Sequence, residues 1–170
     1  MNSQRLELGR VDDVHVESFG EPGQRTFRIH VEKVGGTVSL WLEKFQVEML
    51  GTAIGELLTQ TPEVGPMEDT DPGITFMGDL EVRVGSMALG YNVVRNSFLI
   101  EASEFESAFD LEQITFELDR DQFTSMQSEI DTIVAASRPR CVLCGTPLTG
   151  EPHFCPEQNG HTRLKADEPD

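Results

Sequence analysis

The stretch LEKFQV (Leu42–Val47) returns as LDRDQF (Leu118–Phe123), 76 residues further along the chain. The same offset carries Val38, Leu40 and Leu42 onto Ile114, Phe116 and Leu118. It also carries Leu50, Ile54, Leu57 and Leu58 onto Met126, Ile130, Ile133 and Val134. The first set alternates with a period of two, as in a strand with one buried face. The second follows i, i+4, i+7, i+8, the apolar stripe of a helix. A strand running straight into a helix therefore occurs twice, and each half must bury its stripe against something. Glu43 and Asp119 stand where the helices begin, where a carboxylate complements the dipole and caps free amides. Lys44 and Arg120 follow them, then Gln46 and Gln122.

The likeness extends upstream. DVHVESFGEPG precedes RTFRIHV, and LEVRVGSMALG precedes NSFLIEA. Pro22-Gly23 suits a type II turn, and Gly35-Gly36 suits a tight hairpin into Val38–Leu42. The expected fold is α+β: two βββα repeats, about 13–60 and 79–137, forming one pseudo-symmetric core within a domain spanning 1–137. Between them, residues 61–78 carry prolines, glycines and acids without periodicity and read as a linker or surface loop. Glu63, Glu68, Asp69 and Asp71 lie there without the spacing of a calcium loop.

Composition excludes some functions. Of the net charge of −17, residues 61–137 hold −13, with 16 acids against 3 bases. Such a surface opposes the phosphate backbone, which needs Lys and Arg to displace its counterions. It suits a solvated face or a basic partner. No apolar run approaches the ~18 residues of a membrane helix, and MNSQRLELGRVDD is too polar for a signal peptide. The expected location is cytoplasmic. There is no GxSxG, P-loop or GxGxxG, and no nucleophile can be paired with a base. His15 and His30 occupy polar positions of predicted strands, as surface or hairpin-pairing residues do.

The chain's three cysteines all fall within CVLCGTPLTGEPHFC, Cys141–Cys155. In a cytosolic chain such a cluster points to metal or redox chemistry. Cys141-x-x-Cys144-Gly145 is a zinc-knuckle half-site: two thiolates at i and i+3 converge on one ion, and Gly145 permits the positive φ that closes the turn. A thioredoxin-like redox motif would open a helix, which Pro147, Gly150 and Pro152 oppose. Gln158 stands where a fourth cysteine would complete a ribbon, so a histidine must supply the last ligand. His153 shares a face with Cys155 on an extended segment, and His161 is brought back by the Asn159-Gly160 turn. Four protein ligands make a closed site, hence structural Zn2+ rather than catalytic zinc. Such a site supplies roughly 10–16 kcal/mol, enough to organise a module too small for its own core. That module spans 138–162, and the tail 163–170 is expected to be disordered.

FGEPGQRTF (Phe19–Phe27), LEKFQV, VRVGSMALGY (Val82–Tyr91) and RPRCVLCGTPLTGEPHFCPEQNGH (Arg138–His161) together resemble domain-of-unknown-function family 3090, known from actinobacterial genomes. Its members read C-P-x-C-G…G-H-x-C-P/A-R-x-N-G-[HY]. The resemblance implies His153 as the fourth ligand, since the position of His161 can be Tyr. Val142 and Glu157 depart from that pattern without removing a ligand. The family carries no activity to transfer.

The resulting expectation is a non-catalytic zinc-binding protein whose partner is another protein. One alternative is an enzyme or small-molecule binder with its site between the repeats, near Glu43/Lys44 and Asp119/Arg120. The other is nucleic-acid binding through the module's Arg138, Arg140, Arg163 and Lys165.

Overall fold

The computed structural model describes residues 4–68, 77–105, 111–137, 140–146, 148 and 152–157, with backbone alone for 111–112. The strands are β1 Gln4–Arg10, β2 Asp13–Phe19, β3 Thr26–Lys33, β4 Gly36–Leu42, β5 Gly78–Asn92, β6 Ser97–Glu104 and β7 Leu111–Leu118. Helix α1, Lys44–Gln60, follows β4, and α2, Arg120–Ala136, follows β7. The protein is a mixed α+β fold, and the two helices begin and end 76 residues apart. Strand β1 lies outside the expected units. Its segment QRLELGR offers only Leu6 and Leu8 as alternating apolar residues, too short a pattern to stand out, although Leu8 is fully buried. Among the described residues, no helix is long and apolar enough to cross a membrane.

The sheet runs in the order β1-β7-β6-β5-β4-β3-β2. Neighbours in this order pair antiparallel, except that β4 pairs with β5 and β1 with β7 in parallel. The outermost strands, β1 and β2, are joined by Val11 and Asp12 alone. Flat, a seven-stranded sheet would hold its edges about 29 Å apart, whereas this link spans at most about 11 Å. The sheet therefore curls until its edges meet at that corner. Lys33 of β3 crosses the seam, its Nζ donating to the carbonyls of Leu8 and Arg10, the latter at 3.1 Å.

Inside the curl lie the stripes of both helices. Val47, Leu50 and Ile54 of α1 and Phe123, Met126 and Ile130 of α2 are buried against the inner faces of the strands. Phe123 stacks on Phe98 of β6, with ring centroids 4.3 Å apart. The helices touch closely at Gly51, where any Cβ would come within 2.7 Å of Ile130 Cγ2.

Each helix opens with the same device. Gln46 Oε1 accepts the Glu43 amide at 2.8 Å, while its Nε2 donates to the carbonyls of Val84 (3.0 Å) and Gly85 (3.4 Å) in β5. Gln122 Oε1 accepts the Asp119 amide at 3.1 Å, while its Nε2 donates to Val11 and Asp12 at the β1–β2 corner, both at 3.3 Å. The Gln122 amide in turn donates to Asp119 Oδ1 at 2.8 Å, completing a capping box. An arginine of the parallel neighbour strand faces each N-cap acid: Arg83 to Glu43 at 3.8 Å, Arg10 to Asp119 at 3.6 Å.

The described part of the linker is anchored. Arg120 donates to the carbonyls of Thr61 and Pro62, Asn96 to those of Val64, Gly65 and Pro66, and the Glu68 amide to Arg95. Asn96 adopts φ 53°, a conformation asparagine tolerates in turns.

Candidate metal centre

Past α2, the chain makes a knuckle. The Cys141 amide donates to the Thr146 carbonyl at 2.9 Å, and the Gly145 amide returns to the Cys141 carbonyl at 2.8 Å. Closing so tight a loop requires the left-handed backbone of Gly145, φ 72°, which costs least without a Cβ. Arg140 steadies the same turn through the Gly145 carbonyl.

Into this loop the segment 152–155 brings His153 and Cys155. One ligand atom from each of Cys141, Cys144, His153 and Cys155 falls within 4.8 Å of the others, so the group could hold a metal ion. Cys141 and Cys155 Sγ stand 3.8 Å apart, far beyond a disulfide. That separation is the edge of a tetrahedron of sulfurs around an ion ~2.3 Å from each. Cys144 Sγ and His153 Nε2 are 3.2 Å apart. Cys155 is buried and the other three are half-buried.

The surroundings favour the thiolate forms that metals bind. The Thr146 hydroxyl, 3.2 Å from Cys144 Sγ, and the Thr146 amide lower the Cys144 pKa to about 6. Backbone amides at Cys144 and Leu143 lower that of Cys141. Contact with Cys144 raises that of His153, because a neighbouring thiolate attracts a proton as it would a cation. Thr146 was invisible to reasoning from ligand spacing alone, although a hydroxyl two residues beyond the second cysteine was its available signal.

The structure thus brings together Cys141, Cys144, His153 and Cys155. His161 lies outside the described residues, as do Arg138, Arg163 and Lys165. Glu43, Lys44, Asp119 and Arg120 do not converge. The helices run antiparallel, with Gly51 beside Ile130, Gly55 beside Gln127 and Arg120 bonded to Thr61 at the far end of α1, so their two N-termini lie at opposite ends of the helix pair. Lys44 meets Glu48 at 3.9 Å, and Arg120 lies over the Phe98 ring while holding the linker. His15 and His30 sit opposite each other in the β2–β3 ladder. Glu63 and Glu68 are exposed on the linker, while Asp69 and Asp71 lie outside the described residues.

A family model described as a protein of unknown function (DUF3090) matches residues 6–155, a span that includes both helices and all four clustered side chains. No curated protein and no solved structure matches the chain.

Proposed function

The chain belongs to the DUF3090 family, and from that premise we propose that it is a non-catalytic interaction protein whose C-terminal module is held by structural zinc. The observation that carries this reading is the mutual approach of Cys141, Cys144, His153 and Cys155 within 4.8 Å. Three thiolates and an imidazole suit zinc, and four protein ligands leave no position for the water that catalytic zinc requires. Supporting an interaction role, Val142, Leu143 and Phe154 are 97%, 59% and 78% exposed around the cluster. Apolar side chains displayed by a module without a core of its own are what a protein partner would cover. Three sulfurs and one nitrogen, with no exchangeable oxygen, are expected by zinc-edge X-ray absorption on protein purified without added metal. An open coordination position, or no bound metal, overturns the reading.

The same proposal includes the architecture. Two repeats explain the matched helix limits, the paired glutamines and the paired arginine–N-cap contacts. In this reading β1 and β2, broken at Val11-Asp12, correspond to the two halves of the long strand β5, which bulges between Val84 and Ser86.

A further inference from the structure

A sheet edge is an unpaired row of amides and carbonyls that invites another strand. In this molecule the β2 edge is covered by α2: Glu129 accepts the Val16 amide at 2.7 Å and holds His15 Nδ1 at 2.9 Å. A second stretch has no carboxylate in the matching place. The β4–β5 ladder ends at Trp41↔Arg83, after which β4 turns into α1 while β5 continues to Asn92, laddered with β6 alone among the described residues and reached from α1 by Gln46 only at Val84 and Gly85.

The repeat correspondence, on which this inference rests, shows what is missing there. Val16 faces Ile29 in β3 as Leu89 faces Ile100 in β6. The place of Glu129 on α2 is taken on α1, 76 residues earlier, by Ala53. So the Leu89 amide stands at an edge where the equivalent amide has a carboxylate and this one has a methyl group. Between that edge and α1 runs a groove of about 520 Å³, with Ala53, Met87 and Leu89 along it. Its walls include Phe45 and Met49, 69% and 56% exposed on α1.

We infer that this groove binds an extended peptide segment of another protein, which adds to β5 as a strand and seats apolar side chains at alternate positions against Phe45 and Met49. Such strand addition takes affinity from main-chain hydrogen bonds and specificity from the pockets beneath alternate residues. The occupant is net positive: Glu56 lines the groove, and the chain carries −17. A second copy would bring the same −17 and is repelled.

The test selects dodecapeptides from a random phage-displayed library on the purified full-length protein, then measures synthetic hits by fluorescence anisotropy. Expected are basic sequences with alternating apolar residues. Ala53→Glu is expected to weaken binding about tenfold or more, because its carboxylate takes the edge amide as Glu129 does, and Phe45→Ala to weaken it similarly. A peptide N-methylated at alternate residues should lose binding, since strand addition needs its amides. Circular dichroism of each variant establishes that it is folded. Failure to enrich any peptide, or affinities unmoved by Ala53→Glu or N-methylation, overturns the inference. So does self-association of the chain that Ala53→Glu abolishes, since the groove would then hold a second copy. None of these residues belongs to the Cys/His cluster. Peptide binding by protein that holds no zinc would therefore keep this inference while removing the zinc reading.

Discussion

The two helix-to-strand seams of this molecule share a plan and differ in their filling. At the α2 seam, Phe123 fills the helix start, a carboxylate from Glu129 closes the β2 edge, and the N-cap ion pair to Arg10 is partly covered. At the α1 seam, Val47 replaces Phe123, Ala53 replaces Glu129, and the Arg83–Glu43 pair is about 70% exposed on both sides. The backbone devices, the glutamines above all, are the same on both sides. The two strand–helix junctions thus keep the contacts that set their geometry and vary the side chains that decide whether an edge is sealed or offered.

The largest expected difference between the seams is in the core. Phe123→Ala removes a fully buried ring stacked on Phe98 and should cost about 3–5 kcal/mol. Val47→Ala removes two carbons at the matching place and should cost roughly 2–3 kcal/mol, from ~0.8 kcal/mol per carbon plus a cavity penalty. Urea unfolding of both variants measures the ratio; equal costs would mean that the two seams are packed alike. Next comes Glu129→Ala, which strips a charged acceptor from the Val16 amide and should cost about 1.5–3 kcal/mol. The matching Ala53→Gly on α1 breaks no such bond and should cost only the ~1 kcal/mol of helix propensity. Smaller still, Gln46→Ala and Gln122→Ala each lose a cap and a reach to the neighbour strand, about 1 kcal/mol apiece. The two costs should agree, and a clear inequality would break the equivalence of the glutamines.

Sequence and structure met most closely where chemistry repeats at fixed spacing. The strand-helix junctions were legible because burial writes a periodic pattern: of the residues matched at the 76-residue offset, Leu40 with Phe116 and Ile54 with Ile130 are buried, and Leu57, Leu58, Ile133 and Val134 are partly so. Cys141, Cys144 and Cys155 were legible because few residue types bind metals. The curl of the sheet was not legible: it follows from β1 pairing with β7, a contact spanning over 100 residues that no local pattern encodes. Nor was the open edge of β5, whose character depends on where β4 stops beside it. Glu129 illustrates the same limit, since an acid on a helix surface reads as solvated until the strand it reaches is known.

The smallest effect tests the closed seam through pH. The hydrogen bond to the Glu129 carboxylate raises the pKa of His15 above 6.5, against an opposing cost of burial and with a further upward pull from Asp13 3.1 Å away. A raised folded-state pKa means that the folded protein holds this proton more tightly than the unfolded chain does. Its stabilisation is therefore fully present below about pH 6.5 and is lost as pH rises through the higher folded-state value. His15 is half exposed, so screening keeps the gain to roughly 0.5 kcal/mol or less. Urea midpoints of the wild-type protein and His15→Gln, compared at pH 6 and pH 9, should differ more at the lower pH. In a Glu129→Gln background the difference should shrink at pH 6, because the charge that holds the proton is gone. A gap between wild type and His15→Gln that widens toward pH 9 would mean that Glu129 binds the neutral ring, and that the seam is closed by the Val16 amide alone.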